Sequence, residues 1–166
     1  MKMKRDRPSS GAHPPSRKKT VEFSVRDYPF YYMHAIIIKN NRNIGEALKS
    51  MKLTPAIWRI LALLQEKDGI TVGELSDESL IERTLLSRIL QDLERRGLVS
   101  RRLDKGDKRR TTIYLEPKGA ALFQKILPIG RAQIEAAIRG LSTSEFNQLQ
   151  SLLLRIADNV SKLPSV

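Results

Sequence analysis

The sequence predicts a mainly α, α+β chain with one short β-hairpin, and three observations carry that prediction. Apolar residues recur at i, i+3, i+4, i+7 spacing in most of the longer segments. Extended, β-branched character is confined to residues 70–72, 98–103 and 111–115. The breaks between segments fall on Gly, Pro and capping residues. At 166 residues and 40% hydrophobic, the chain has enough apolar material for one core with appended helices.

Taken in order, residues 28–50 place Tyr32, Ala35, Ile36 and Ile38 on an apolar helical face before Gly45 weakens it. Thr54-Pro55 starts a second helix, a hydroxyl cap followed by Pro where no N–H is needed. Its stripe is Ile57, Ile60, Leu61 and Leu64, and Asp68-Gly69 ends it. Residues 73–79 form a short helix, and residues 82–96 a longer one stopped by Gly97 as a left-handed cap. Residues 98–103 and 111–115 are two strands joined by a charged loop. Glu116-Pro117 opens a helix carrying Leu122, Phe123, Ile126, Leu127, Ile134 and Ile138, which Pro128 should kink or split. Ser142-Thr143-Ser144-Glu145 is a capping box, followed by a stripe of Phe146, Leu149, Leu153, Ile156 and Val160.

Composition removes several function classes. With no Cys there is no disulfide, thiolate metal site, nucleophilic Cys or thiol redox sensor. Two His leave little for a zinc site or a Ser-His-Asp triad. Nor are there paired carboxylates or a Gly-rich phosphate loop, so the expectation is a non-enzyme without a cofactor or metal. No apolar run is long enough to span a membrane, and the basic N-terminus lacks the apolar core of a secretory signal, so a cytoplasmic protein is expected.

The net charge of +12 points to a polyanionic partner, and its placement is uneven. Residues 1–19 hold seven basic side chains against Asp6 in a Pro/Ser/Gly-rich stretch, read as a disordered arm: a solubilising tail first, a non-specific DNA-binding arm second. Residues 82–110 hold ten basic against five acidic side chains. There, Leu86, Ile89, Leu90 and Leu93 make a core stripe, while Thr84, Ser87, Arg88 and Gln91 make a second stripe about 200° away. Short hydroxyls with Arg and Gln are the side chains that read base edges. Arg83 beside the helix start can reach phosphate, and the start's own N–H groups attract it. An ordinary solvated face would mix signs, yet no acid interrupts residues 83–91. A short helix, a turn and a polar second helix form a helix-turn-helix, and the basic hairpin supplies a wing. Arg95, Arg96, Arg101 and Arg102 fit phosphate contacts and surface pairing with Asp92 and Glu94 equally well.

Leu75-Ser76-Asp77, the run from Leu86 to Val99, the Asp104…Asp107-Lys108-Arg109 segment, Lys118-Gly119 and Leu141-Ser142…Glu145 together resemble the MarR family of winged-helix transcriptional regulators over roughly residues 28–160. The resemblance implies a homodimer on a palindromic double-stranded operator, with the recognition helix in the major groove and the wing Arg in the minor groove. It also implies a small-molecule effector. It divides the chain into a basic arm (1–22), an N-terminal helix of a dimerisation lobe (23–52), a winged helix-turn-helix DNA-binding domain (53–116) and C-terminal dimerisation helices (117–166). The implied DNA contacts are Arg83, Thr84, Leu85, Ser87 and Arg88, joined by Gln91 from the polar stripe; Arg109 matches the wing Arg, with Asp107 orienting it and Lys108 and Arg110 flanking it. Three positions depart from the family pattern: Leu80 stands where Gly is usual in the turn, Leu85 where a small polar residue is common, and Glu116-Pro117 replaces a Thr cap.

An effector cleft would be lined by Tyr28, Tyr31, Tyr32, His34, Trp58 and Arg59, side chains suited to stacking on and binding an aromatic carboxylate or its coenzyme A thioester. The same aromatics at helical spacing also suit a dimer core. Two rival readings are a sequence-independent architectural DNA binder driven by the arm, and a winged helix used as a protein-interaction module.

Overall fold

A computed structural model describes residues 24–103 and 110–164, so the expected arm at 1–22 and the loop residues Asp107, Lys108 and Arg109 lie outside the described residues. The chain divides into two units, Met1–Ile36 and Ile37–Val166.

In the first unit the Ser24 hydroxyl accepts from the Arg26 N–H at 3.3 Å and caps a 3-10 turn, Val25–Asp27. Helix α1 (Pro29–Leu48) begins there, its φ fixed by Pro29 at the first position. Tyr28 and Phe30 meet with ring centroids 5.1 Å apart and Tyr31 and Tyr32 at 5.3 Å, and all four side chains are exposed.

The second unit is built on α2 (Pro55–Glu66), whose expected stripe of Ile57, Ile60, Leu61 and Leu64 is buried in full. Thr54 caps it as expected, accepting from the Ile57 N–H at 3.2 Å. Strand β1 (Ile70–Thr71) leads into α3 (Val72–Ser79), then α4 (Arg83–Arg95), the hairpin β2 (Val99–Leu103) and β3 (Thr111–Leu115), α5 (Pro117–Ala137) and α6 (Thr143–Ser161). The sheet is antiparallel in the order β1-β3-β2, pairing Ile70 with Ile113 and Val99 with Leu115. The short strand expected at the β-branched run forms over Ile70–Thr71 and is the third strand of the sheet, anchored by the fully buried Ile70.

The core joins α2, α3, α4 and the sheet through Leu64, Leu75, Leu86, Leu90, Leu93, Val99 and Ile113, each almost wholly buried and worth about 2 kcal/mol of transfer free energy. Gly97 ends α4 at φ 68°, with the Leu98 N–H donating to the Leu93 carbonyl and the Gly97 N–H to that of Glu94, a Schellman turn that aims β2 back along the helix. At the start of α5 a Cβ on Gly119 would overlap the Leu98 carbonyl oxygen, so only glycine allows this crossing. Of the kink or split expected at Pro128, the split does not occur: α5 runs through it as one helix. Pro128 is exposed, so the carbonyl it leaves without a helical partner lies on the solvated side. The apolar stripes of the terminal helices are open in the single chain: Ile36 and Ile38 on α1, Ile134 on α5, and Leu149, Leu153 and Val160 on α6 are all exposed.

Candidate nucleic-acid interface

The turn before α4 is held from three sides. The buried Ser76 hydroxyl donates to the Ile81 carbonyl at 2.8 Å, and the Ile81 N–H donates to the Ser76 carbonyl at 3.3 Å. Arg59 Nη1 reaches from α2 to the Ser79 carbonyl at 2.8 Å, satisfying the C-terminus of α3 with a positive charge. Leu80 passes through φ 55°, the left-handed region, which gives a reason for glycine being usual at this point. The Thr71/Glu74 capping box fixes the start of α3, with the Glu74 N–H donating to the Thr71 hydroxyl at 3.2 Å and the Thr71 N–H to Glu74 Oε2 at 2.8 Å. Thr-x-x-Glu before a helix is legible in sequence, and it is the signal that places this start at Val72 rather than Gly73.

With the turn fixed, α4 presents two opposite faces. Leu86, Leu90 and Leu93 are buried, while Arg83, Thr84, Leu85, Ser87, Arg88 and Gln91 are all exposed. Arg83, Thr84, Ser87, Arg88 and Gln91 line one open groove of about 610 Å³, together with Glu94 and Arg101. Leu85 does not line it; its side chain is 51% exposed beside the groove. Arg110 lines a second concavity of about 380 Å³ with Thr71, Val72, Gly73 and Thr111, and Arg83 borders both. Lys108 and Arg109 lie outside the described residues.

The electrostatics of the groove depend on which arginines are already committed. Arg95 and Arg96 pair with Asp92 at 2.8 and 3.4 Å, Arg101 pairs with Glu94 at 3.4 Å, and Arg102 pairs with Glu116 at 3.6 Å while lying 4.2 Å from the Tyr114 ring centroid. Arg95, Arg96 and Arg101 thus meet the acids that the sequence offered them, and Arg102 meets Glu116 instead. Among the described residues Arg83 and Arg88 have no ion-pair partner, which leaves the N-terminal half of the groove positive.

One expectation is corrected. Two of the N–H groups at the start of α4 do not stand open to phosphate: the Glu82 carboxylate accepts from the Thr84 N–H at 2.8 Å and the Leu85 N–H at 3.1 Å. These bonds, that from the Thr84 N–H foremost, hold the Glu82 carboxyl below its ordinary pKa. A neighbouring carboxylate is always at hand for such amides, so it fills the position an external anion would take.

The residues proposed for an effector fall in both units. Tyr28, Tyr31, Tyr32 and His34 are exposed in the first. In the second, Trp58 packs against Gly130, where a Cβ would come within 2.7 Å of the indole, and its Nε1 is buried with no partner among the described residues. Arg59 is the guanidinium that caps α3. Among the described residues no helix is long and apolar enough to cross a membrane.

Comparison with known proteins places this geometry. A family model described as "MarR family" matches residues 52–110. The chain is 22% identical over 142 residues to the HTH-type transcriptional repressor IacR of Pseudomonas putida, covering 86% of this chain and 85% of the relative. It is 30% identical over 93 residues to the transcriptional regulator HosA of Escherichia coli O157:H7, covering 56% and 69%. Among solved structures it matches a MarR-family transcriptional regulator from Silicibacter pomeroyi with a TM-score of 0.77 at 29% identity, over 86% of this chain and 96% of that one. It also matches a mutant of MarR from E. coli complexed with operator DNA, with a TM-score of 0.68 at 25% identity over 76% and 91%. With this winged-helix fold and these relatives, the chain belongs to the MarR family of transcriptional regulators.

Proposed function

We propose that the chain is a dimeric, sequence-specific DNA-binding repressor, not an enzyme, that leaves its operator when a small aromatic acid or acyl-coenzyme A binds. The observation that carries the DNA-binding reading is the outward face of α4, where Arg83, Thr84, Ser87, Arg88 and Gln91 share one open groove. Its width of one helix face, its hydroxyl and amide groups and its uncommitted guanidiniums match base edges and phosphates of a major groove. Arg110, which lines the adjoining concavity, is taken as a backbone contact, and Arg109 is taken from the family resemblance as the minor-groove side chain. The solved operator complex of mutant E. coli MarR supports this reading, as does the repressor name carried by IacR. The exposed apolar stripes of α1, α5 and α6 support a second copy as partner. The effector reading is supported by exposed ring pairs in the first unit and, in the second, by a buried indole N–H with no hydrogen-bond partner among the described residues.

The test is operator selection from random duplexes followed by fluorescence anisotropy. Ser87→Ala and Arg109→Ala should each weaken operator binding about 5- to 100-fold, the cost of one lost base-edge contact. Full affinity in both variants would sink the site assignment. Deleting residues 1–19 should shrink the salt dependence and leave operator preference intact; loss of preference would favour an architectural binder driven by the arm.

A further inference from the structure

Arg101 and Glu94 face the same groove as the recognition side chains, yet they are committed to each other. Glu94 continues the outward stripe, seven residues beyond Ser87 and three beyond Gln91, and is the single acid lining the groove among the described residues. Arg101 projects from β2, opposite Ile113 of β3. Its Nε lies 3.4 Å from Glu94 Oε2 and its Nη2 donates to the Ser87 carbonyl at 3.1 Å. A carboxylate in a DNA-facing groove repels phosphate, and an arginine there attracts it. Pairing cancels both effects, and the Ser87 bond turns the guanidinium toward the helix backbone.

We propose that Glu94 is a specificity-determining residue that withholds Arg101 from the DNA backbone. Resting on the DNA-binding reading above, this gives the pair a purpose beyond surface pairing. Non-specific affinity is almost wholly a sum over cation–phosphate contacts, so each arginine kept out of that sum lowers binding to random DNA. Operator binding, in which base contacts through Ser87, Arg88 and Gln91 fix the register of α4 and keep the Arg101 guanidinium on the Ser87 carbonyl, gains no such contact when Glu94 is removed, whereas a loosely held random duplex does. Glu94 thus raises the ratio of operator to random affinity without touching a base.

The experiment measures anisotropy binding of the full chain to a random duplex and to the selected operator across a salt series. It uses wild type, Glu94→Gln, Arg101→Ala and the double variant, with Glu94→Ala in reserve should the Gln variant unfold. Glu94→Gln should tighten random-duplex binding about fivefold near 0.1 M salt and steepen the log–log salt slope by about 0.9 for each protomer whose freed arginine meets a phosphate. The operator-to-random ratio should fall. In the Arg101→Ala background Glu94→Gln should leave the slope unchanged. An unchanged slope in the single variant, a ratio that holds or rises, or a steepening that persists without Arg101 would each overturn the proposal; the last would mean that only acidic repulsion was removed. Failure of the wild type to bind any duplex would overturn the DNA-binding reading as well, an outcome separate from wild-type binding that Glu94→Gln leaves unaltered.

Discussion

Leu80 holds a left-handed backbone conformation at φ 55° with its side chain 86% exposed, so it carries strain that no packing repays. Replacing it with glycine removes the Cβ conflict and sacrifices no burial. Leu80→Gly should stabilise the fold by about 1 kcal/mol in urea unfolding, and a lower midpoint would show that Leu80 makes a contact worth more than its strain. The position was legible in sequence as a departure from the family pattern, but its backbone angle was not, because single-residue propensity does not report φ. Arg59 shows the opposite limit. In sequence it belongs with aromatic residues as an effector ligand, whereas its 2.8 Å bond to the Ser79 carbonyl joins residues 20 apart, which local spacing cannot reveal.

Three helices hold a carboxylate at their N-terminus: Glu82 caps α4 and accepts from its first-turn amides, while Glu74 in the first turn of α3 and Glu145 in that of α6 accept from the cap residues Thr71 and Ser142. Each is held below the ordinary carboxylate value of 4.5, Glu74 and Glu145 by bonds from Thr71 and Ser142 and Glu82 by the N–H of Thr84. A depressed folded-state pKa means that the unfolded chain takes up protons first on acidification. The stability these groups contribute is therefore complete above the ordinary value and is lost as pH falls through the lower, folded one. Thermal midpoints should decline on acidification below about pH 4.5, and the triple variant Glu74→Gln, Glu82→Gln, Glu145→Gln should flatten that decline. Parallel curves for variant and wild type would mean that other carboxylates govern the acid transition. The box at Ser142 was plain from S-x-x-E spacing. The Glu82 cap was not, because a Glu just ahead of a basic helix reads as one more surface charge until the backbone turns its carboxylate onto the amides.

Taken as a whole, the chain buries its central elements and leaves its terminal ones apolar and open. Leu149 and Leu153 lie one turn apart on α6 and are 43% and 40% exposed, although their spacing is that of a core stripe. A second copy would cover them in the proposed dimer. Leu149→Asp with Leu153→Asp should then raise the dimer dissociation constant about 10³-fold, at about 1 kcal/mol for each of the four half-covered leucines the two copies contribute, and sedimentation should show monomer. A double variant that sediments like the wild type would remove this face from the interface. By itself the sequence determined the order and type of the elements, the caps at Thr54 and Ser142, the stop at Gly97 and the opposed faces of α4. Those features follow from periodicity and from chemistry confined to one turn, where neighbours in sequence are neighbours in space. The tertiary structure decided which charges remain available. It paired Arg101 with Glu94 and Arg102 with Glu116, closed the α4 N-terminus with Glu82 and left Arg83 and Arg88 to face the groove, because ion pairing depends on distances that only the packed hairpin and helix set.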